Sequence, residues 1–273
     1  MISFVGAGPG APDLLTLRGR DRLAAADVVV WASSLVPAAV LEHARPDAEV
    51  HDSAGMTLED VLAVYAAHPR QPIVRLHSGD PSVYGAIQEQ IDWCVAAGRK
   101  FEIVPGVSSL GAAAAALGRE LTVPGVAQSV VLTRLGGRTS ASMPAGQSVA
   151  DYASHGATLA AFLSGARLAE LQAELLAPGS SYHPDTPAAA VVRASWPDQV
   201  VVRTTVGRLA EDLAATGATT TVLVLVGPAL GGDRGGPPPA RSHLYRPDFA
   251  HRFRRRSRPG TTAGRPAQAE RQQ

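Results

Sequence analysis

The sequence predicts an α/β protein of two α/β domains with a cofactor cleft between them, followed by a disordered C-terminal tail. Three observations predict it. Short apolar runs of strand length alternate with segments of helical spacing, the mark of strand–helix–strand units with right-handed crossovers. Two loops rich in glycine and proline, Gly6-Ala7-Gly8-Pro9-Gly10 and Ser78-Gly79-Asp80-Pro81-Ser82-Val83-Tyr84-Gly85, each follow one of the apolar runs. Past residue 230 the composition turns to glycine, proline and arginine.

In the first half, strands are expected at Ile2–Val5, Val28–Trp31, Ile73–Leu76 and Phe101–Val104. Each is short and apolar, as in a mainly parallel sheet covered on both faces. Helical spacing marks Thr16–Ala26, Leu58–Ala67, Gly85–Ala97 and Leu110–Leu117. The stretch from Gly118 to Gly125 breaks the pattern and divides the chain into domains at 1–118 and 119–230. In the second domain, strands are expected at Ser129–Thr133, Thr158–Leu163, Ala188–Val192, Val200–Thr204 and Val222–Val226, with helices near Ser148–Ser154, Leu168–Leu176 and Arg208–Ala215. Trp196-Pro197-Asp198 separates two consecutive strands as a hairpin tip would, so this second sheet should be mixed. Residues 231–273 cannot bury enough apolar surface to offset the entropy of ordering them.

The two loops carry the functional signal. Glycine lets the backbone turn sharply and approach a ligand that a Cβ would hold off, and in open α/β sheets ligands bind beyond the carboxyl ends of the strands. Gly6-x-Gly8-x-x-Ala11 formally fits the dinucleotide-binding fingerprint. Pro9 and Pro12 remove donors from the stretch that should hold phosphates, however, and Asp13 to Arg18 delay the helix that should open at the glycines. The strand Val28–Trp31 ends in Ala32-Ser33-Ser34, with no carboxylate for a ribose.

With 273 residues the chain has core enough to need no metal or disulfide staple. Its net charge of +1 conceals an asymmetry: from Arg234 onward ten arginines face two acids, a charge of +8 that leaves −7 on the rest. The tail's charge suits nucleic acid, but the acidic body and the glycine loops do not, and a solvated extension is the simpler expectation. Cys94, the one cysteine, lies beside Trp93 in a helical pattern and is expected buried and inert. Met1 leads directly into a strand, so neither a signal peptide nor a membrane span is expected, and the cytoplasm is the expected compartment. His43, His51, His68 and His77 show no spacing typical of a metal site, and none is expected.

Further segments complete a pattern: Ala32-Ser33-Ser34-Leu35-Val36, Asp52-Ser53-Ala54-Gly55-Met56-Thr57, Arg75 through Gly85, Val104-Pro105-Gly106-Val107-Ser108-Ser109 and Arg193-Ala194-Ser195-Trp196-Pro197-Asp198. With them the chain resembles the tetrapyrrole (corrin/porphyrin) methylases over roughly residues 1–230. The resemblance implies two α/β domains, S-adenosyl-L-methionine held between them, a corrin precursor as acceptor and a homodimer. Within the family it is similar to the members that methylate C11 of precorrin-4 in cobalamin biosynthesis; cobalt-precorrin-4 or another ring carbon is the alternative. Carried over by position, the resemblance puts Ser78, Gly79, Asp80, Val83, Ser108 and Ser109 beside the cofactor. It gives Leu163, Ala194, Thr221 and Val222 to its adenosine end, and Pro9 to the sulfur and acceptor side.

Methyl transfer from a sulfonium needs alignment and exclusion of water more than acid–base chemistry. Asp13, Asp52 and Asp80 are the candidates for steering a proton, with helix capping and turn formation as the structural alternatives. A polycarboxylate acceptor suits arginine forks, and Arg75, Arg119, Arg134, Arg138 and Arg193 stand near loop ends, where surface ion pairing would equally explain them. The polar stretch from Arg134 to Gln147 is long enough to serve as a cover over the acceptor.

Overall fold

The computed structural model describes residues 1–136, 143–231, 242–246, 249–252 and 254. The N-terminal sheet contains β1 (Ile2–Gly6), β2 (Val28–Trp31), β3 (Glu49–Asp52), β4 (Ile73–His77) and β5 (Phe101–Val104), in the order β3-β2-β4-β1-β5. Every pairing is parallel, so all five strands deliver their carboxyl ends to one edge. Side-chain alternation along β1 divides the core. Val5 joins Leu23, Val29, Val74 and Leu76 on one face, while Ile2 and Phe4 meet Val61, Tyr65 and Cys94 on the other. Leu23 comes from α1 (Leu17–Ala24), whose start is capped by the Thr16 hydroxyl accepting from Gly19 N at 3.1 Å. The opposite face is covered by α2 (Leu58–Ala67), opened by a Thr57/Asp60 capping box, and by α3 (Gln88–Ala96).

A second sheet is built from β6 (Val130–Arg134), β7 (Thr158–Phe162), β8 (Pro187–Val192), β9 (Val200–Thr205) and β10 (Val222–Val226), in the order β6-β7-β10-β8-β9. Only the β6–β7 pair is parallel, and β8 and β9 form the expected hairpin. One face is covered by α5 (Val149–Ala153), α6 (Leu168–Leu175) and α7 (Leu209–Ala214). The other is covered by α4 (Ser109–Leu117), which buries Ala113 and Leu117 against Ala160, Ala189, Val191 and Leu225. Sequence order places α4 with the first domain; its packing gives it to the second sheet.

Two elements depart from the periodicity. β3 is an edge strand with three of its four residues exposed, so no apolar run announces it. The helix expected from Gly85 starts at Gln88, because Tyr84 and Ala86 have positive φ and Gly85 packs on the Pro81 carbonyl, where a Cβ would stand 2.2 Å from the oxygen. Of the expected tail, the described residues contain a short 3-10 turn, His243–Tyr245; Arg138, in the polar stretch, lies outside the described residues.

The carboxyl ends of β1, β4 and β5 are joined backbone to backbone. Gly79 N donates to Gly8 O at 2.8 Å and Gly8 N to Gly79 O at 3.3 Å. A Cβ on Gly6 would lie 2.5 Å from Gly106 Cα, and one on Gly106 would lie 2.1 Å from Gly79 O. Gly106→Ala should therefore destabilise the protein by roughly 2–4 kcal/mol, since backbone rather than a movable side chain blocks the methyl. Gly111→Ala, in α4 with nothing within 4 Å of the new methyl, should stabilise it by roughly 0.5–1 kcal/mol. Urea denaturation of the two variants beside the parent measures both.

Candidate functional site

Between the carboxyl edge of the first sheet and the second domain lies a cavity of about 360 Å³, within the size range of small-molecule sites. The first domain contributes Pro9 from the loop after β1, Leu35 after β2, Ser78, Gly79, Asp80 and Val83 after β4, and Ser108 and Ser109 after β5. The second contributes Leu163 after β7, Ala194 after β8, and Thr221 and Val222 at the start of β10. Every residue that sequence resemblance assigned to the cofactor thus stands around this cavity. Residues that sequence reasoning did not single out also line it, among them Tyr84 and Phe162, whose rings face each other across the cleft with centroids 5.2 Å apart. Thr219 and Thr220 join them. A signal for Tyr84 was present, since it lies inside the second glycine loop; Phe162 reads as one more apolar strand residue.

Backbone strain is concentrated here. Among the described residues, positive φ outside glycine occurs at Tyr84 (56°), Ala86 (50°), Leu163 (53°), Arg193 (49°), Ser195 (65°) and Thr221 (54°). Tyr84, Leu163 and Thr221 line the cavity, and Arg193 and Ser195 flank Ala194, which does too. For a β-branched residue such as Thr221 this conformation is costly, and such strain persists where surrounding structure imposes it. Leu163 is 73% exposed at the cavity wall, an apolar surface left for a ligand to cover.

The two domains are fastened at the mouth by the segment Arg193 to Asp198. Trp196 Nε1 donates to Pro9 O at 3.0 Å, and Ser195 Oγ accepts from Ala11 N at 2.9 Å. The indole lies flat enough on Gly10 that a Cβ there would approach Trp196 Cδ1 to 2.2 Å. Arg193 stacks over the indole at 4.2 Å and pairs with Asp198 at 2.7 Å, holding the ring from behind.

Residues 1–210 match the sequence profile of the tetrapyrrole (corrin/porphyrin) methylases. The chain belongs to this family. It is 44% identical, over 93% of its length and 98% of the other, to the precorrin-4 C(11)-methyltransferase of Pseudomonas aeruginosa. Among solved structures it is similar to the cobalamin biosynthetic enzyme cobalt precorrin-4 methyltransferase, with a TM-score of 0.80 and 42% identity, covering 84% of this chain and 95% of that one. A uroporphyrin-III C-methyltransferase from Thermus thermophilus, complexed with S-adenyl homocysteine, matches with a TM-score of 0.68 and 29% identity over 84% of this chain and 98% of that one.

In this tetrapyrrole methylase the three aspartates raised by the sequence have separate places. Asp80 lies at the cavity, but both its oxygens are engaged by backbone: Oδ1 accepts from Ser82 N and Oδ2 from Gly106 N, each at 2.8 Å. Asp52 accepts from Ser33 N and Ala54 N, each at 3.0 Å, and the Ser33 side chain, followed by these backbone bonds, holds its carboxyl below the usual range. Asp13 is exposed in a 3-10 turn (Pro12–Leu14), and α1 is capped by Thr16 instead. Of the arginines, Arg193 is taken up by Asp198 and Trp196, and Arg75 is half-buried with Nη1 donating to Ser53 Oγ at 2.7 Å. Arg134 ends β6 close enough to Tyr84 for its charge to oppose the upward push of burial on that phenol. Arg119 follows the left-handed Gly118 that ends α4.

His77, at the end of β4, is only 7% exposed, and burial with the neighbouring Arg75 charge lowers its pKa from 6.5 to about 3. The folded protein keeps this imidazole neutral, whereas the unfolded chain protonates it below pH 6.5. Stability from this group is complete above pH 6.5 and is lost as pH falls toward 3, with a slope approaching about 1.4 kcal/mol per pH unit. Carboxylates titrate in part of that window, so the test is the difference between parent and His77→Gln. Urea unfolding at a series of pH values from neutral downward should show a shallower acid loss in the variant.

Proposed function

We propose that this enzyme transfers the methyl group of S-adenosyl-L-methionine to C11 of precorrin-4, giving precorrin-5 in cobalamin biosynthesis. The observation that carries the proposal is the strained cavity lined largely by backbone and small side chains, in a chain 44% identical to a precorrin-4 C(11)-methyltransferase. The cavity fits the cofactor's chemistry. Among the described residues its side-chain lining contributes one carboxyl group, Asp80, already bonded to backbone, so recognition falls to loop N–H and C=O groups and to apolar contact.

S-Adenosylmethionine supplies a methyl group already activated on a positively charged sulfur. What this chain must do is hold donor and acceptor in line and keep water out. Ser78, Gly79, Asp80, Val83, Ser108 and Ser109 hold the cofactor from the first domain. Leu163, Ala194, Thr221 and Val222 enclose its adenosine end, and Pro9 stands on the acceptor side. Asp80 is a positioning residue that fixes the β4 and β5 loops against each other. An enamine-like ring carbon is nucleophilic without a protein base, and none of the three aspartates is needed as one. The test is incubation with carbon-13 methyl-labelled cofactor and precorrin-4, with and without cobalt in the ring, followed by NMR of the product. Label at C11 is expected; label on another ring carbon overturns the regiochemistry, and no transfer overturns the activity. The enzyme is expected to be a homodimer, and a light-scattering mass of only 28.2 kDa would exclude that.

Gly79 offers a separate test of cofactor placement. Its φ is +64°, and a Cβ there would meet only Ser109 N at 3.5 Å and Ser108 Cα at 3.8 Å. The fold has room for a side chain, but that side chain would enter the space between the two cofactor loops. Gly79→Val should weaken S-adenosylhomocysteine binding at least tenfold by calorimetry. The left-handed backbone adds a stability loss of only about 1–2 kcal/mol.

A further inference from the structure

We propose that Glu49, His51 and His68 form a binding site for a divalent transition metal, with Zn²⁺ the ion their donor atoms fit best, at the outer edge of the N-terminal sheet. Glu49 and His51 are two residues apart on β3, so strand alternation turns both side chains to the same face. His68 is the residue that ends α2, the helix packed on that side of the sheet. One ligand atom from each of the three lies within 4.8 Å of the others. Glu49 Oε1 is 2.8 Å from His51 Nε2, and Glu49 Oε2 is 3.5 Å from His68 Nε2. The imidazole centroids are 6.1 Å apart and the rings are inclined at 64°, so the two rings converge without stacking.

These separations suit a small cation. Zinc bonds of roughly 2.0–2.2 Å to nitrogen and oxygen in tetrahedral geometry put neighbouring ligand atoms about 3.3–3.5 Å apart. The site reaches that by opening the Glu49–His51 contact by about half an ångström, within the swing of an exposed glutamate. His51 Nε2 supplies an independent indication. It is sealed from solvent and makes no hydrogen bond of sound geometry, despite its closeness to the carboxylate. A buried nitrogen left this way is expensive as a hydrogen-bonding group and well suited as a ligand. Two imidazoles with one carboxylate favour zinc over magnesium or calcium, which prefer all-oxygen shells. Three protein ligands leave a fourth position for water.

None of the three lines the methyl-transfer cavity. Glu49 begins β3, at the end of the sheet opposite the carboxyl edge where the cleft lies, and α2 ends with His68 on that far side. A metal here would tie a largely exposed edge strand to the helix that covers it, which also guards an unpaired sheet edge. Sequence spacing could not reveal this site, because seventeen positions separate the two histidines and only the β3–α2–β4 crossover brings them together.

The test uses the full chain without an affinity tag, stripped of metal by chelator and then titrated with Zn²⁺ by calorimetry. One equivalent should bind with a micromolar or tighter Kd, and the melting midpoint should rise by roughly 4–8 °C at a hundredfold excess over Kd. Co²⁺ in place of zinc should give the intense visible absorption of a low-coordinate complex. His51→Ala and His68→Ala should each weaken zinc binding at least a hundredfold, Glu49→Gln at least tenfold, and His43→Ala should leave it unchanged. Circular dichroism of each variant confirms that the fold is retained, and Glu49→Gln keeps the site's volume if an alanine variant fails to fold. Absence of stoichiometric binding by the parent, or binding unaltered in a folded His51→Ala/His68→Ala double variant, overturns the proposal.

Discussion

Three strand ends meet in this protein more closely than any side chain permits. Gly6, Gly79 and Gly106 bring the loops after β1, β4 and β5 into backbone contact, and the carboxylate of Asp80 clasps Gly106 N from the middle loop. The floor of the cavity rests on this junction. Because it is made of peptide groups bonded to one another and to Asp80, it is stiff where a floor of flexible side chains would not be. The same loops then receive the second domain, since Gly10 is the platform on which Trp196 lies. One constraint, close backbone approach, therefore sets the position of both walls.

The opposite wall solves the same problem differently. Leu163, Thr221 and the residues flanking Ala194 adopt left-handed conformations without being glycine, at a cost of about 1–3 kcal/mol each. What holds them is the pair of apolar layers on either side of the second sheet, where β7, β8 and β10 are buried almost throughout. Packing of this kind holds the rim in its strained conformation without help from a ligand. Preorganisation matters more here than a proton-transfer group, because a displacement at an activated methyl is governed by the geometry of approach. That is also why the carboxylate of Asp80 at the cavity can serve to hold loops together.

Much of this was legible in the chain, and the rest was hidden for identifiable reasons. Buried parallel strands announce themselves as apolar runs, and glycine–proline loops at their ends announce a ligand site, so the two sheets and the first-domain wall could be read directly. β3 could not, because an exposed edge strand has no apolar pattern to show. The role of α4 was concealed by chain order: it follows β5 yet covers the second sheet. Tyr84 and Phe162 meet only through the docking of one domain on the other. The segment from Arg193 to Asp198 was visible as a motif, but its work as a fastener between domains depends on Trp196 finding Gly10 across a sequence separation that no local pattern encodes.

Beside the glycine junction, the same edge of the first sheet is finished in another style. After β2 and β3 the loops are knitted by short polar side chains: Asp52 accepts from Ser33 N, and the Ser53 hydroxyl donates to Trp31 O at 2.8 Å while accepting from the half-buried Arg75. Leu35, from the β2 loop, reaches the cavity. The two styles differ in what they tolerate. A junction made of backbone admits no side chain at Gly6 or Gly106 unless the neighbouring backbone shifts. A network of serine and aspartate side chains can be rewired one residue at a time while the strands beneath it stay put.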